Sequence, residues 1–242
     1  MQEKLVTESI DQSLSVAMFD NERIVGFILT GIDTIDGMLT ANNAGTGVIT
    51  EYRGQGITYK LYDFLLPLLK EKGIQKCVLE VITNNEIAIH LYEQIGYSRH
   101  RKVDCYKAND TTAKIGEIEH RLVEELNGDV TAFCSVTPTW QYSLTAIRKT
   151  EHKKVIEIIE GSRLVASAVF KPANGRVMFF AVDKEFRRKG IGAKLFHIMS
   201  KESAAPLSVI NVDSSDTGIK AFLEKIGMVY FLSQYEMTMD MR

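Results

Sequence analysis

The sequence predicts an α+β fold with α/β/α layering, in two tandem domains that each carry a mixed, mostly antiparallel central sheet flanked by helices. Short runs of β-branched and aromatic residues alternate with segments whose apolar residues recur at helical spacing. A glycine turn between a strand and a helix occurs twice, at residues 53–56 and 187–190, and Gly96 has a counterpart in Gly227. Such long-range recurrence indicates a duplicated domain.

Composition fits two domains and limits the partners. The chain has 242 residues, of which 45% are hydrophobic and 25% charged. Its formal net charge is −2 with the two signs interspersed, whereas a nucleic-acid binder needs a basic face. We therefore expect no nucleic-acid partner, and a substrate that is a small molecule or a protein.

The cysteines, histidines and first residues predict a cytoplasmic protein without a metal. Cys77, Cys105 and Cys134 are widely spaced, so they predict neither a disulfide framework nor a CxxC site. The five histidines have no metal-ligand spacing. Residues 1–11 are polar and acidic, and no apolar run approaches about 18 residues, so we expect no signal peptide and no membrane partner. We expect a monomer or a homodimer.

Hydrophobic periodicity places the elements of the first half. We predict strands at residues 13–19, 24–29 and 38–49, a helix from Gly56 to about Gly73, a strand at 76–82, a helix at 86–95 and a strand at 97–106. Pro67 predicts a kink in the first of these helices.

The second half repeats this order after a polar linker at residues 107–112, so we predict domains at 1–108 and 114–242. Its predicted elements are a helix at 115–126, extended chain at 130–136, strands at 155–159, 164–170 and 176–182, a helix opening at Gly190 and a strand at 207–212. Nothing before residue 13 matches residues 115–136. We therefore expect the first domain to lack its first strand and helix.

The two glycine turns are candidate phosphate-binding sites. At a helix start the first N–H groups lack intrahelical partners and point outward with the positive end of the helix dipole, and glycine leaves room for a pyrophosphate. Arginine and lysine in the turns would add charge-assisted contacts. The alternative is an ordinary strand–helix connection, which a second turn in register disfavours. The candidate cofactor-binding residues are Val48, Ile49, Arg53, Gly54, Gln55, Gly56, Ile57 and Thr58 in the first half, and Val182, Arg187, Arg188, Lys189, Gly190, Ile191 and Gly192 in the second.

These turns resemble the fingerprint R/Q-x-x-G-x-G/A of the GCN5-related N-acetyltransferase (GNAT) family, which joins the fourth strand of that fold to its third helix. Residues 187–192, RRKGIG, match it fully, whereas residues 53–58, RGQGIT, end in threonine. We expect this threonine to weaken or reshape binding in the first half. The resemblance covers about residues 13–106 and 155–237, and it implies acetyl-coenzyme A as cosubstrate without a metal.

A second family element strengthens the first half. Asn84, Ala88, Tyr92 and Gly96 recur every fourth residue, which puts a small residue and a phenol on one helix face. In the family such a tyrosine donates a proton to the departing coenzyme A thiolate, and a phenol with a pKa of about 10 suits this role. Tyr92 as a core tyrosine with a polar tip is the alternative. Asn84 either caps the helix or bonds the pantetheine arm.

The acid has no counterpart in the second half, where Ser215, Ile219 and Leu223 occupy the matching positions, so we place the chemistry in the first half. The acceptor also needs a general base, for which Glu80 is the candidate and Glu51 a weaker alternative. Alternation along residues 77–81 does not fix the face of Glu80, so an exposed structural glutamate is the alternative. The second half would bind acyl-coenzyme A structurally, use another acid or shape the acceptor site.

The predicted function is transfer of an acetyl or related acyl group from acetyl-coenzyme A to an amine of a small molecule or a protein. The rival is a non-catalytic protein of the same fold that binds or senses acyl-coenzyme A, because a fold does not guarantee activity.

Overall fold

The computed structural model describes residues 2–109, 119–126, 133 and 137–241. The chain divides into two compact units. The first unit contains Met1–Lys102 and Gln234–Arg242, and the second contains Val103–Ser233. The sequence predicts contiguous domains at 1–108 and 114–242, whereas here the end of the chain returns to the first unit because its last strand pairs there. Residues 107–108 of the predicted linker belong to the last strand that begins in the first unit, and residues 110–112 lie outside the described residues.

The first unit contains a mixed sheet with helices, as predicted. Its elements are α1 (Gln2–Thr7), β1 (Val16–Asp20), β2 (Arg23–Ile35), β3 (Met38–Val48), α2 (Ile57–Glu71), β4 (Lys76–Ile82), α3 (Glu86–Ile95), residues 98–102 of β5 (Ser98–Ala108) and residues 234–240 of β11 (Met228–Asp240). The strand order is β1-β2-β3-β4-β11-β5. The pair β3–β4 is parallel, whereas β1–β2, β2–β3 and β4–β11 are antiparallel.

The parallel strands β3 and β4 separate before they end. Their ladder pairs residues 40–42 with residues 76–78, but β3 continues to Val48 and β4 to Ile82. Beyond the ladder, the main-chain groups of residues 43–48 that point away from β2 face a gap instead of a neighbouring strand. We call this gap the splay.

One face of the first unit's sheet carries α2 and α3. Leu61 and Leu65 of α2 and Ile89 of α3 pack with Ile28 and Leu79 of the sheet, and each is at most 3% exposed. This apolar contact holds both helices against the splayed strands. Pro67 lies inside α2.

The second unit repeats this plan. It contains residues 103–108 of β5, β6 (Arg121–Val123), α4 (Leu144–Lys149), β7 (Lys154–Glu160), β8 (Arg163–Lys171), β9 (Arg176–Val182), α5 (Ile191–Glu202), β10 (Ser208–Asp213), α6 (Thr217–Lys225) and residues 228–233 of β11. The strand order is β11-β5-β10-β9-β8-β7-β6. The parallel ladder between β9 and β10 pairs residues 176–177 with residues 208–209, so these strands also splay. No helix in the described parts of the chain is long and apolar enough to cross a membrane.

The prediction of a helix at residues 115–126 is wrong where the structure describes that segment. Residues 121–123 form β6, which pairs antiparallel with residues 155–157 of β7. Pairing with an existing strand edge outweighs the weak helical preference of so short a segment. The remaining predicted helix up to residue 118, and the extended chain at 130–136 except residue 133, lie outside the described residues.

Candidate active site

The turn after β3 leaves the main chain at the start of α2 uncovered by side chains. A short 3-10 turn spans Thr50–Tyr52, and α2 begins at Ile57. Between them, Gly54 and Gly56 have φ angles of +75° and +71°, in the left-handed region that glycine enters without strain. Apart from the adjoining residues of the chain, a Cβ on either glycine would have no described atom within 4 Å. This geometry suits an anion bound at a helix N-terminus.

Two side chains of this turn brace it. The Nε of Arg53 donates to the Val48 carbonyl at 3.2 Å, and the Gln55 side-chain amide donates to the Glu51 carbonyl at 3.2 Å. Arg53 therefore helps to shape the turn, in addition to the phosphate contact that the sequence predicts.

The turn after β9 has the same backbone. Arg188 and Gly190 have φ angles of +66° and +82°, and the Nε of Arg187 donates to the Val182 carbonyl at 3.0 Å. Arg188 stands where the first turn has Gly54. A non-glycine residue is thus held in the left-handed region, which costs about 1 kcal/mol.

Basic side chains of the second turn have partners within their own unit. The Lys189 ammonium lies 4.5 Å from the ring centre of Phe186, and the Arg187 guanidinium also donates to the Phe133 carbonyl at 2.7 Å. The positive charge predicted for phosphate binding is therefore partly engaged inside the protein.

The last glycine of the second fingerprint has a packing reason. A Cβ on Gly192 would lie 3.0 Å from the Phe222 ring, closer than packing allows without movement. Gly192 thus has a packing role of its own, and the weaker or reshaped binding that the sequence leads us to expect from Thr58 stays a prediction. Ile57 and Ile191 are each 5% exposed and belong to the cores, so only their main chain can meet a ligand.

The helix cap ahead of Tyr92 is Asn85, and the interpretation of Asn84 as the cap is wrong. The Asn85 side-chain oxygen accepts from the Ala88 N–H at 3.2 Å. One residue earlier, Asn84 is exposed. Asn84 lies one position before the cap and does not have this role, so its other interpretation, a bond to the pantetheine arm, stays a prediction.

Tyr92 lies beneath the splay among other polar groups. Its ring centre is 6.2 Å from that of Tyr62 and 5.9 Å from that of Tyr97, in edge-to-face geometry. Its hydroxyl forms hydrogen bonds with Thr46 and Asn43, which follow the β3–β4 ladder on β3. Burial raises the pKa of Tyr92, although these two bonds lower it, so the phenol keeps its proton at neutral pH.

Both halves of the chain match models of one family. Residues 2–97 match the model described as "Acetyltransferase (GNAT) family", and residues 130–237 match the one described as "Acetyltransferase (GNAT) domain". The chain belongs to the GNAT family. N-alpha-acetyltransferase 30 of Schizosaccharomyces pombe is 36% identical over 100 residues, which cover 41% of this GNAT chain and 67% of that protein.

Solved structures confirm the GNAT fold over the whole chain. A tandem GNAT protein from the clavulanic acid biosynthesis pathway aligns with a TM-score of 0.71 at 12% identity, covering 100% of this chain and 88% of that one. A GCN5-related N-acetyltransferase from Sphaerobacter thermophilus aligns with a TM-score of 0.66 at 14% identity, covering 94% and 81%. Identities this low support the fold alone.

The candidate base and acid of this GNAT chain lie on opposite faces of the sheet. Leu79 of β4 faces α2 and α3, so its neighbour Glu80 points to the other face. There Glu80 stands opposite Glu236 of β11, whose carboxylate forms an ion pair with Arg101 at 2.8 Å. Glu80 and Tyr92 therefore project from opposite faces of the sheet.

The polar partners of Tyr92 were missed by sequence reasoning. They sit on β3, on α2 and just before β5, in segments whose hydrophobic periodicity draws attention away from single polar residues. A position-by-position comparison of the two GNAT halves carries the signal, because the second half is apolar wherever the first has these groups. The missed residues are Asn43, Thr46, Tyr62 and Tyr97.

Proposed function

We propose that the first unit transfers an acetyl group from acetyl-coenzyme A to the α-amino group at the start of a polypeptide chain. The observation that carries the proposal is the Tyr92 hydroxyl at the splay, in the same unit as the bare start of α2. An anion site, a gap between strands and a protonated phenol together suit a thioester donor. The name of the 36% identical relative supports an α-amine acceptor.

The main chain of the first unit holds the donor. N–H groups at the start of α2 bind the pyrophosphate, and main-chain groups of residues 43–48 line the pantetheine arm and orient the carbonyl. Asn84 is exposed ahead of α3 and bonds this arm, while Ala88 leaves room for it. When bound, acetyl-coenzyme A supplies an activated acyl carbon and a sulfur leaving group.

Glu80 and Tyr92 move the protons. Glu80 accepts a proton from the acceptor amine as the new N–C bond forms. Tyr92 gives its proton to the sulfur as the C–S bond breaks, so the products are an amide and a free thiol. Solvent then returns a proton to the Tyr92 oxygen and takes one from Glu80, which restores both groups.

The second unit is proposed not to carry the reaction. Leu223 replaces the acid, and Ile219 stands where the first unit has a small alanine. The Phe222 ring packs against Phe196 and Phe180, with centroid distances of 5.6 Å and 6.1 Å. These side chains occupy the face of the splay that the donor would need, so we expect one acetyl-coenzyme A per chain.

A peptide assay tests the activity. Peptides that differ in their first residue are incubated with the protein and acetyl-coenzyme A, free thiol is measured, and mass spectrometry locates the acetyl group. We expect acetylation at the α-amine, and none with matched peptides whose α-amine is already blocked. Donor binding without thiol release from any peptide or small amine would instead identify a non-catalytic acyl-coenzyme-A-binding protein.

Calorimetry with acetyl-coenzyme A tests the location of the site. Gln55→Glu adds a negative charge to the exposed first turn, and Lys189→Glu changes the matching position of the second. We expect a stoichiometry of one, weaker binding by about tenfold for Gln55→Glu, and unchanged binding for Lys189→Glu. The reverse pattern would place the donor in the second unit.

A further inference from the structure

We propose that Asn43 is a positioning residue for Tyr92, and that Asn43, Thr46 and Tyr62 form a hydrogen-bonded platform that aims the Tyr92 hydroxyl into the splay. This inference rests on the proposed function of the first unit and assigns its acid a supporting structure.

Asn43 is the centre of the platform. Its Nδ2 donates to the Tyr62 hydroxyl and to the Thr46 Oγ1, both at 2.7 Å. Its Oδ1 accepts from the Thr46 hydroxyl at 3.1 Å and from the Gly45 N–H at 3.1 Å. The main-chain bond from Gly45 fixes which end of the amide faces β3, so the NH2 group is turned toward the tyrosines. The Thr46 hydroxyl and the Asn43 NH2 group, which carry one and two hydrogens, share them between these partners and the Tyr92 oxygen.

The platform corrects a problem that burial creates for the acid. A thiol has a pKa of about 8.5, so a phenol whose pKa is pushed upward becomes a poorer donor to a thiolate. Hydrogen bonds from Thr46 and Asn43 to the Tyr92 oxygen stabilise the phenolate and lower its pKa. They also fix the oxygen at the splay, where a small displacement would be costly.

The second unit lacks the whole platform together with the acid. The matching positions on the strands follow from the register. Thr30 pairs with Asn43 directly after a register shift between β2 and β3, and Phe170 pairs with Val177 directly after the equivalent shift between β8 and β9. They follow on the helices from the distance to the glycine at each helix start or end. The replacements are Asn43 by Val177, Thr46 by Phe180, Tyr62 by Phe196, Tyr92 by Leu223 and Tyr97 by Met228.

This replacement separates folding from function. Burying a polar group costs free energy unless its hydrogen bonds are made, and even then the net gain is only about 1 kcal/mol. The second unit builds the same splay over an apolar core in which Phe196 is 5% and Leu223 0% exposed. The fold therefore does not require the polar platform. Support of the Tyr92 hydroxyl is the role that explains why these residues are polar in the first unit.

A double-mutant cycle on the purified full-length chain tests the inference, with acetyl-coenzyme A and an accepted peptide. Thr46→Val and Asn43→Val each remove platform groups, and each is combined with Tyr92→Phe. We expect each single variant to lower kcat about tenfold with KM for acetyl-coenzyme A unchanged, and no further loss in the Tyr92→Phe background, because the residues act through that hydroxyl. Thr46→Ser, which keeps the hydroxyl, restores most of the rate.

Thr30→Val is the matched control, since Thr30 faces Asn43 in the register but its hydroxyl has no hydrogen-bond partner among the described residues. We expect its kcat to equal that of the wild type. Losses that multiply with Tyr92→Phe, or an unchanged kcat for Thr46→Val, would overturn the platform while leaving the proposed function intact. A wild-type rate for Tyr92→Phe alone would instead show that Tyr92 is not the acid of the proposed reaction. Thr46→Val keeps the β-branched shape and decides the question if Asn43→Val does not fold.

Discussion

The two units repeat one backbone around different interiors. In both, a strand ends in a left-handed turn, an arginine Nε closes that turn onto the last strand carbonyl, and a helix starts at a glycine. Beneath the splay the first unit holds Tyr62 and Tyr92, whereas the second holds Phe196 and Leu223 at the matching positions. The second unit, whose turn matches the family fingerprint fully, is therefore the unit with the apolar interior.

This contrast shows that a sequence fingerprint can be present for reasons of folding alone. Gly192 is needed beside the Phe222 ring, and Arg187 closes its turn through the Val182 carbonyl. Neither role requires a ligand. Catalytic competence is better judged from the side chains beneath the splay. Burying a polar side chain there costs free energy, so its presence indicates a functional role.

The largest expected effect comes from removing the acid. Tyr92→Phe deletes only the hydroxyl, and we expect kcat to fall at least about 100-fold, since general acid catalysis contributes 10²–10⁴. In the second unit Leu223→Met conserves volume and lies at the matching position, and we expect no change in kcat. Steady-state kinetics with one accepted peptide measures both. A rate for Tyr92→Phe within twofold of the wild type would contradict the comparison.

Local elements could be predicted because they follow from periodicity. The bounds of β4, α3 and β9 agree with the predictions, since alternating or helical apolar residues fill each from end to end. The glycine turns were recognisable because left-handed backbone favours glycine. In the candidate site, Tyr92 could be predicted from the four-residue spacing that places it beside Ala88 on α3.

Strand partners and side-chain networks could not be predicted. Periodicity predicts a strand at residues 97–106, but it does not show that residues 234–240 form a strand that pairs with β4. Asn84 and Asn85 are chemically identical candidates for a cap, and only the backbone decides between them. The platform around Asn43 joins residues far apart in sequence, which no local pattern links.

We expect one buried carboxylate of each unit, Asp104 and Glu8, to change stability with pH in opposite directions, and Asp104 to give the larger effect. Burial opposes its charge, but the hydrogen bond from the Ser233 hydroxyl at 2.7 Å and the Lys220 ammonium at 3.1 Å hold the pKa of Asp104 below its ordinary value of 3.8. A lowered pKa contributes stability that is present above the ordinary value and lost as pH falls through the folded value. We expect Asp104→Asn to cost about 2 kcal/mol at pH 7.

Glu8 supplies the contrast within the first unit. Burial raises its pKa above 4.5, although Lys4 at 3.1 Å lowers it. A raised pKa means stability that is present below the ordinary value and lost as pH rises through the folded value. Glu8→Gln should therefore stabilise the protein at pH 7, by at most about 1 kcal/mol. Urea unfolding at pH 7 and pH 3 measures both variants, and effects of the same sign at pH 7 would contradict the contrast.

Exchanging the last residue of each fingerprint, Gly192 and Thr58, tests whether this position serves packing or ligand binding in each turn. Gly192→Thr forces the Phe222 ring to move, and we expect a loss of about 1.5 kcal/mol. The matched change Thr58→Gly replaces a helix residue by glycine and should cost about 0.5 kcal/mol. We expect Thr58→Gly to leave the affinity for acetyl-coenzyme A unchanged. Tighter binding of acetyl-coenzyme A in calorimetry would instead support the expectation from the sequence that Thr58 weakens donor binding at the first turn.

The smallest expected effect concerns the cost of polarity beneath the first splay. Thr30 is 2% exposed and its hydroxyl has no hydrogen-bond partner among the described residues, while Thr40, also 2% exposed, donates to the Met38 carbonyl at 3.0 Å. Thr30→Val should therefore stabilise the protein by roughly 0.5 kcal/mol, and Thr40→Val should destabilise it by a similar amount. Thermal unfolding of the two variants resolves the sign. If both lower Tm, the hydroxyl of Thr30 is satisfied in solution, and the first interior is less costly than its contacts imply.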